Sequence, residues 1–251
     1  VSGVTSLKSE VAAFWAQRSR DHVTDRPATP QARAALLALL RDMLGPEARG
    51  DVLELGAGAG ALTELLVELG GQVTGIDLHE PMLARARARL SGKALLLVGD
   101  AEHLTEPDDS QDAVVCHNLV WTLTDPARAF TEWARVLRPG GRLVILDGDW
   151  VNFALFGAWR QSLAALLDRR NGHAPRPADA ALMADLLPRL PFGRGLRPGH
   201  LLPLLAMAGF GDFVGHDLKP VERARRRGLS GSARLLSLVH EGFAVSACKL
   251  G

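Results

Sequence analysis

The stretch Asp51-Val-Leu-Glu-Leu-Gly-Ala-Gly-Ala-Gly60 decides the architecture. Val52, Leu53 and Leu55 read as a short buried strand, and the alternate glycines at 56, 58 and 60 let the backbone turn sharply and approach a ligand where a Cβ would intrude. Ala61, Leu62, Leu65, Leu66 and Leu69 then recur at helical spacing, so a helix N-terminus with unpaired amides sits beside the loop. Gly70-Gly71 ends that helix. Gln72 to Ile76 forms a second strand, whose C-terminal edge delivers Asp77 where a carboxylate accepts hydrogen bonds from both hydroxyls of a ribose. Strand, glycine turn, helix, strand and acid make half of a doubly wound nucleotide fold.

The alternation continues outward, with a helix at 80–90, strands at 94–98 and 112–116, a helix at 125–137 and a strand at 142–147, which implies right-handed crossovers in a parallel sheet. Upstream, residues 7–22 predict an amphipathic helix with Val11, Phe14 and Trp15 on one side. Thr29-Pro30 reads as the cap and first position of a helix carrying Leu36, Leu37, Leu39, Leu40 and Leu44, stopped by Gly45-Pro46. Past Trp150 the texture changes, and six of the 14 prolines fall between Pro175 and Pro203.

At 251 residues and 47% hydrophobic, the chain has material for one larger domain with layers on both faces of a sheet. The net charge of +1 supplies no global field for a polyanion, so nucleic acid is not the expected partner. The two cysteines, Cys116 and Cys248, fit neither a disulfide framework nor a zinc ribbon and suggest a reducing, cytoplasmic setting. Neither a signal-type segment nor a run of membrane-spanning length is visible, so no membrane partner is expected.

A glycine loop alone is a weak signal. Here the acid Glu54 stands two residues before the first of three alternate glycines, and further motifs follow in order: Gly99-Asp100-Ala101-Glu102, Asp112-Ala-Val-Val-Cys-His117 and Val136-Leu-Arg-Pro-Gly-Gly-Arg-Leu-Val-Ile-Leu146. Together they resemble the class I S-adenosylmethionine-dependent methyltransferases, in the small-molecule branch that includes quinone-biosynthesis enzymes. The resemblance covers residues 50–150 by motif and 200–250 by pattern. It implies a Rossmann-like α/β fold: a doubly wound, mostly parallel seven-stranded sheet with an antiparallel last strand and a helical lid. Residues 1–45 would be an N-terminal helical cover, 46–150 and 197–251 the cofactor-binding core, and 151–196 a lid over the acceptor.

The resemblance also implies site residues. Glu54, Gly56, Ala57, Gly58, Gly60 and Asp77 would hold S-adenosylmethionine. Leu78 and Met82 would pack on the adenine face, Asp100 would read its amino group, and Ala101 and Glu102 would flank its edge. His117, nearest the reactive sulfonium, would be a cofactor contact or a base, with Asp149 beside it. Trp15, His22, Trp121, Asp149 and Trp150 are candidates for the acceptor pocket, where a carboxylate beside an aromatic face suits an amine-bearing molecule. Asp147-Gly-Asp149 departs from the acid pattern of metal-dependent relatives, so no catalytic metal is expected. The products would be S-adenosylhomocysteine and a small molecule methylated on N, O, S or C, made by a monomer or homodimer.

Two rival enzymes remain, a nicotinamide-dependent oxidoreductase using the same glycine turn and an RNA methyltransferase using Arg223, Arg225, Arg226 and Arg227. A cofactor-binding subunit without catalysis is a third possibility. The arginine run itself reads as a solvated loop between the terminal strands.

Overall fold

The structure, a computed structural model, describes residues 6–21, 29–149, 185–227 and 242–251. Among these residues one sheet contains β1 (Asp51–Leu55), β2 (Gln72–Asp77), β3 (Leu95–Val98), β4 (Gln111–His117), β5 (Leu137–Gly148), β6 (Phe210–His216) and β7 (Gly242–Lys249). The spatial order is β3-β2-β1-β4-β5-β7-β6. The first five strands pair in parallel, and β7 runs antiparallel to both β5 and β6. Helices α1 (Leu7–Asp21), α2 (Pro30–Leu44), α3 (Ala61–Glu68), α4 (Glu80–Leu90), α5 (Pro126–Val136), α6 (Pro198–Met207) and α7 (Lys219–Arg227) flank it.

The two-residue period of the strands sorts the core into layers. Val114 and Cys116 of β4 and Leu143 and Ile145 of β5 face Val11 and Phe14 of α1, Phe130 and Trp133 of α5 and Leu201 of α6. Ala113, Val115, Val144 and Leu146 face the other way, towards Leu40 and Met43 of α2 and Leu65 and Leu66 of α3. α5 shows why the sequence chooses these partners. Pro126, Ala129, Phe130, Trp133, Ala134 and Val136 are buried, whereas Ala127, Arg128 and Thr131 are exposed. Asp125 caps its N-terminus by accepting from the Arg128 amide at 3.1 Å.

α2 starts as its sequence predicts, with the Thr29 hydroxyl accepting from the Ala32 amide at 3.1 Å and Pro30 in the first turn. The arginine run departs from expectation, because it belongs to a helix rather than a loop. Asp217 accepts from the Lys219 amide at 2.9 Å, Pro220 fits the first turn, and the basic residues fall in the last turn, where cations complement the helix dipole. Ala224 is buried on this helix, and the Thr29 hydroxyl reaches its carbonyl at 3.5 Å, which joins α7 to the start of α2. Of the expected lid, residues 151–184 lie outside the described residues, as do His22 and Trp150. At its far end, Leu186, Leu187, Leu190, Phe192 and Leu196 are buried in the same layer as α1, α5 and α6.

Candidate active site

Strand order reverses direction between β1 and β4, and in open α/β sheets the crevice outside the strands' carboxyl ends at that point is where ligands bind. The glycine loop closes one side of it. The amides of Gly56 and Ala57 both donate to the Ile76 carbonyl, at 2.8 and 3.0 Å, so the loop is fastened to β2. The Gly58 amide donates to Asp77 Oδ2 and the His79 amide to Asp77 Oδ1, each at 2.8 Å. Burial pushes the Asp77 carboxyl above its usual range, and these two amides pull against that shift. A carboxylate oxygen has two acceptor positions, so one on each oxygen is left for a ligand among the described contacts. That is the geometry a pair of vicinal hydroxyls requires. Leu78 is exposed at the end of β2, and Met82 Cε stands 3.6 Å from where a Cβ on Gly58 would lie.

Glu54 is buried behind the loop, and its Oε2 has no hydrogen-bond partner among the described residues. Desolvation is the chief cause that raises its carboxyl to about 8, Thr63 offsets part of the rise, and the nearby Asp77 charge adds to it. The fold therefore holds the neutral acid. Stability from this group is fully present below its ordinary value of 4.5 and is lost as pH climbs through about 8. Glu54→Gln should remove that slope. Above pH 8 the variant is expected to be more stable than the parent by about 2–5 kcal/mol, read from melting curves between pH 5 and 9. Parallel curves for the two proteins would show that Glu54 is ionised without cost.

Across the crevice, Asp100 Oδ1 accepts from the Glu102 amide at 2.9 Å, and Lys8 Nζ lies 2.7 Å from Oδ2. Glu102, expected beside the adenine edge, has its carboxylate committed elsewhere. Its Oε1 accepts from the Thr124 amide at 2.7 Å, the Thr124 hydroxyl at 2.9 Å and the Asp125 amide at 3.1 Å, while Lys8 sits 2.5 Å from Oε2. Buried and fully partnered, Glu102 fastens the loop to the start of α5. The Ala101 carbonyl accepts from Trp133 Nε1 at 2.8 Å and anchors the same loop to that helix.

At the carboxyl end of β4, His117 is exposed and Asn118 takes a left-handed φ of 57°. Asp147 lies two residues before Asp149. It is buried and accepts from the Val120 and Gly148 amides at 2.8 Å each, which shapes the turn Val120–Thr122. Trp121 in that turn is buried under α1, edge-on to Phe14 and Trp15 with ring centroids 6.5 and 5.9 Å away, and its indole N–H has no partner among the described residues. Asp149 is buried, with Arg197 Nε 3.5 Å away, and both line a cavity of about 440 Å³ with Lys219, Glu222 and Phe243. A hollow of about 370 Å³ lies by the amino end of β1, away from the carboxyl ends of the strands, lined by Arg41, Arg49 and Glu68.

The family described as a methyltransferase domain matches residues 53–145, the span from the glycine loop to β5. A ubiquinone biosynthesis O-methyltransferase of Xanthomonas oryzae pv. oryzae is 31% identical over 188 residues, covering 69% of this chain and 77% of that protein. The chain belongs to the class I S-adenosylmethionine-dependent methyltransferases. An uncharacterized methyltransferase of Mycobacterium tuberculosis is 49% identical over 102 residues, 41% of each chain. The chain thus spans about two fifths of that relative's length. Phosphoethanolamine N-methyltransferase 2 of Haemonchus contortus, solved with S-adenosyl-L-methionine, shares the fold with a TM-score of 0.63 at 19% identity, covering 98% of this chain and 58% of that one.

The residues of this chain fit the family's cofactor. Glu54 Oε2 is buried without a hydrogen-bond partner among the described residues, and an ammonium group beside it would draw the carboxyl to its ionised form, while Asp77 keeps two acceptor positions for hydroxyls among the described contacts. Lys8 and the pairing of Glu10 with Arg189, at 2.5 and 2.9 Å, were not legible beforehand. Lys8 and Asp100 are 92 positions apart, and no local spacing signals such a pair.

Proposed function

We propose that this chain transfers the methyl group of S-adenosylmethionine to a nucleophilic atom of a small molecule. The observation that carries the reading is the Asp77 carboxylate, split between the glycine loop and the His79 amide with one acceptor position per oxygen still open. Bound in the cleft, the cofactor supplies a methyl carbon already made electrophilic by its sulfonium. Asp77 would hold the ribose, Asp100 the adenine amino group and Glu54 the ammonium end. Orientation and exclusion of water then remain as the protein's work, worth about 7–11 kcal/mol through effective molarity. Residues 1–45 and 151–196 are read as the cover that excludes the water.

A small polar acceptor is supported by the cavity beside Asp149, whose charged lining includes Arg197, Lys219 and Glu222. The O-methyltransferase and N-methyltransferase relatives suggest phenols and amines as the first classes to try. A cytoplasmic setting accords with two free cysteines, one of them buried. No described helix is long and apolar enough to cross a membrane.

The deciding experiment is a thermal shift with S-adenosylhomocysteine and with NAD, followed by a screen of phenols, amines and thiols for homocysteine-product release. Stabilisation by NAD alone would overturn the assignment. His117, exposed at the open end of β4, is the candidate base for an acceptor that arrives protonated. His117→Ala is expected to lower kcat about 100-fold or more while S-adenosylhomocysteine affinity changes less than threefold. Equal losses would make it a binding residue.

A further inference from the structure

The Asp100 carboxylate is held from several sides. Lys8 Nζ at 2.7 Å and His103 Nδ1 at 3.2 Å both meet Oδ2, and the Glu102 amide meets Oδ1 at 2.9 Å. The two acceptor positions of Oδ2 are filled, so the position left among the described contacts lies on Oδ1. Lys8 also reaches Glu102, which is fastened to the start of α5, so the cation ties Asp100 to a rigid element.

Lys8 cannot drift away from this pair without moving α1. One turn further along, Val11 is buried in the core, Phe14 follows it, and Glu10 is paired bidentately with Arg189. The Lys8 and Asp100 side chains are only 27% and 24% exposed, which places the pair between a solvent-screened surface bridge and a buried one. Burial pushes the Asp100 carboxyl up, but the Lys8 hydrogen bond and the Glu102 amide outweigh it and hold the group below its usual range. Asp100 is therefore an acceptor-only group in a single orientation.

We propose that Lys8 is a positioning residue for cofactor selection, which sets the Asp100 carboxylate to accept from the 6-amino group of adenine and to reject a base with an oxygen at that position. The inference rests on the methyltransferase reading. Without Lys8, Asp100 gains other orientations and a protonated form able to donate, and the distinction between amino and oxo groups fades. An amino group finds the open acceptor on Oδ1; a 6-oxo group brings one lone pair against another.

The test is calorimetric titration of the full chain with S-adenosylhomocysteine and with S-inosylhomocysteine, its 6-oxo counterpart. Lys8→Met should weaken S-adenosylhomocysteine about tenfold and the 6-oxo compound less than threefold, narrowing the preference by the difference. Lys8→Arg should restore most of the preference. Glu10→Gln, which removes the ion pair with Arg189 without touching Asp100, should leave the ratio of the two affinities unchanged. Equal weakening of both ligands by Lys8→Met, or a Glu10→Gln effect on the ratio as large as that of Lys8→Met, would overturn the proposal by reducing Lys8 to a helix anchor. Failure of the unaltered chain to bind S-adenosylhomocysteine at all is a different result, which removes the cofactor reading and this inference with it.

Discussion

Asp77→Ala is expected to weaken binding of S-adenosylhomocysteine at least 100-fold. The carboxylate has two open acceptor positions, and each hydrogen bond from a ligand hydroxyl to an ionised group contributes about 1.5–3 kcal/mol, so losing both costs about 3–6 kcal/mol of affinity. A second loss compounds the first. The Gly58 and His79 amides, each 2.8 Å from this carboxylate, are left without their acceptor, and the glycine loop is freed from the end of β2 on that side. Asp77→Asn keeps the shape and one carbonyl acceptor, so its affinity should fall between parent and alanine variant. Calorimetric titration measures all three. An alanine variant within threefold of the parent would show that the ribose lies elsewhere.

The second large effect concerns the fold itself. Gly60 precedes α3 with φ 79° and ψ 22°, a left-handed conformation that costs an L side chain about 1–2 kcal/mol. A Cβ there would stand 2.9 Å from Ala86 Cβ and 3.2 Å from Ala86 Cα, so the overlap is with α4 itself and not with the tip of a flexible chain. Overpacking of this kind typically costs about 1–3 kcal/mol. Gly60→Ala should thus lose about 2–5 kcal/mol, a fall in melting temperature of roughly 4–20 °C for a chain of this size. Gly92 supplies the control, since it shares a positive φ of 81° but a Cβ there meets nothing within 4 Å. Gly92→Ala should lose only the conformational part. Equal destabilisation by the two substitutions would place the whole cost in the backbone and none in the contact between loop and α4.

The glycine loop, the acid that ends β2 and the helix-strand alternation were legible because each depends on residues a few positions apart. Ala129, Phe130 and Trp133 mark the buried face of α5 by period alone, and Asp125 and Thr29 mark helix starts by side-chain chemistry. The arginine run was harder to read. Its one buried residue, Ala224, is small, so the apolar stripe that betrays a packed helix is nearly absent, and its contact with α2 crosses 195 positions. The acids at 147 and 149 share a face by strand spacing, yet only the folded turn shows that Asp147 is taken up by the Val120 amide.

By itself, the chain's order of residues determined the doubly wound sheet and the set of acids at its strand tips, since the periods of strand and helix and the conformational freedom of glycine act over a few residues. Tertiary structure alone decided what each acid is free to do. Glu102 is consumed by the start of α5, Asp100 is oriented by Lys8, Glu54 is left neutral with its Oε2 unpartnered among the described residues, and Asp77 keeps room for two donors. The physical reason is that desolvation and ion pairing depend on which distant elements come to lie against a carboxylate, and spacing along the chain carries no record of that.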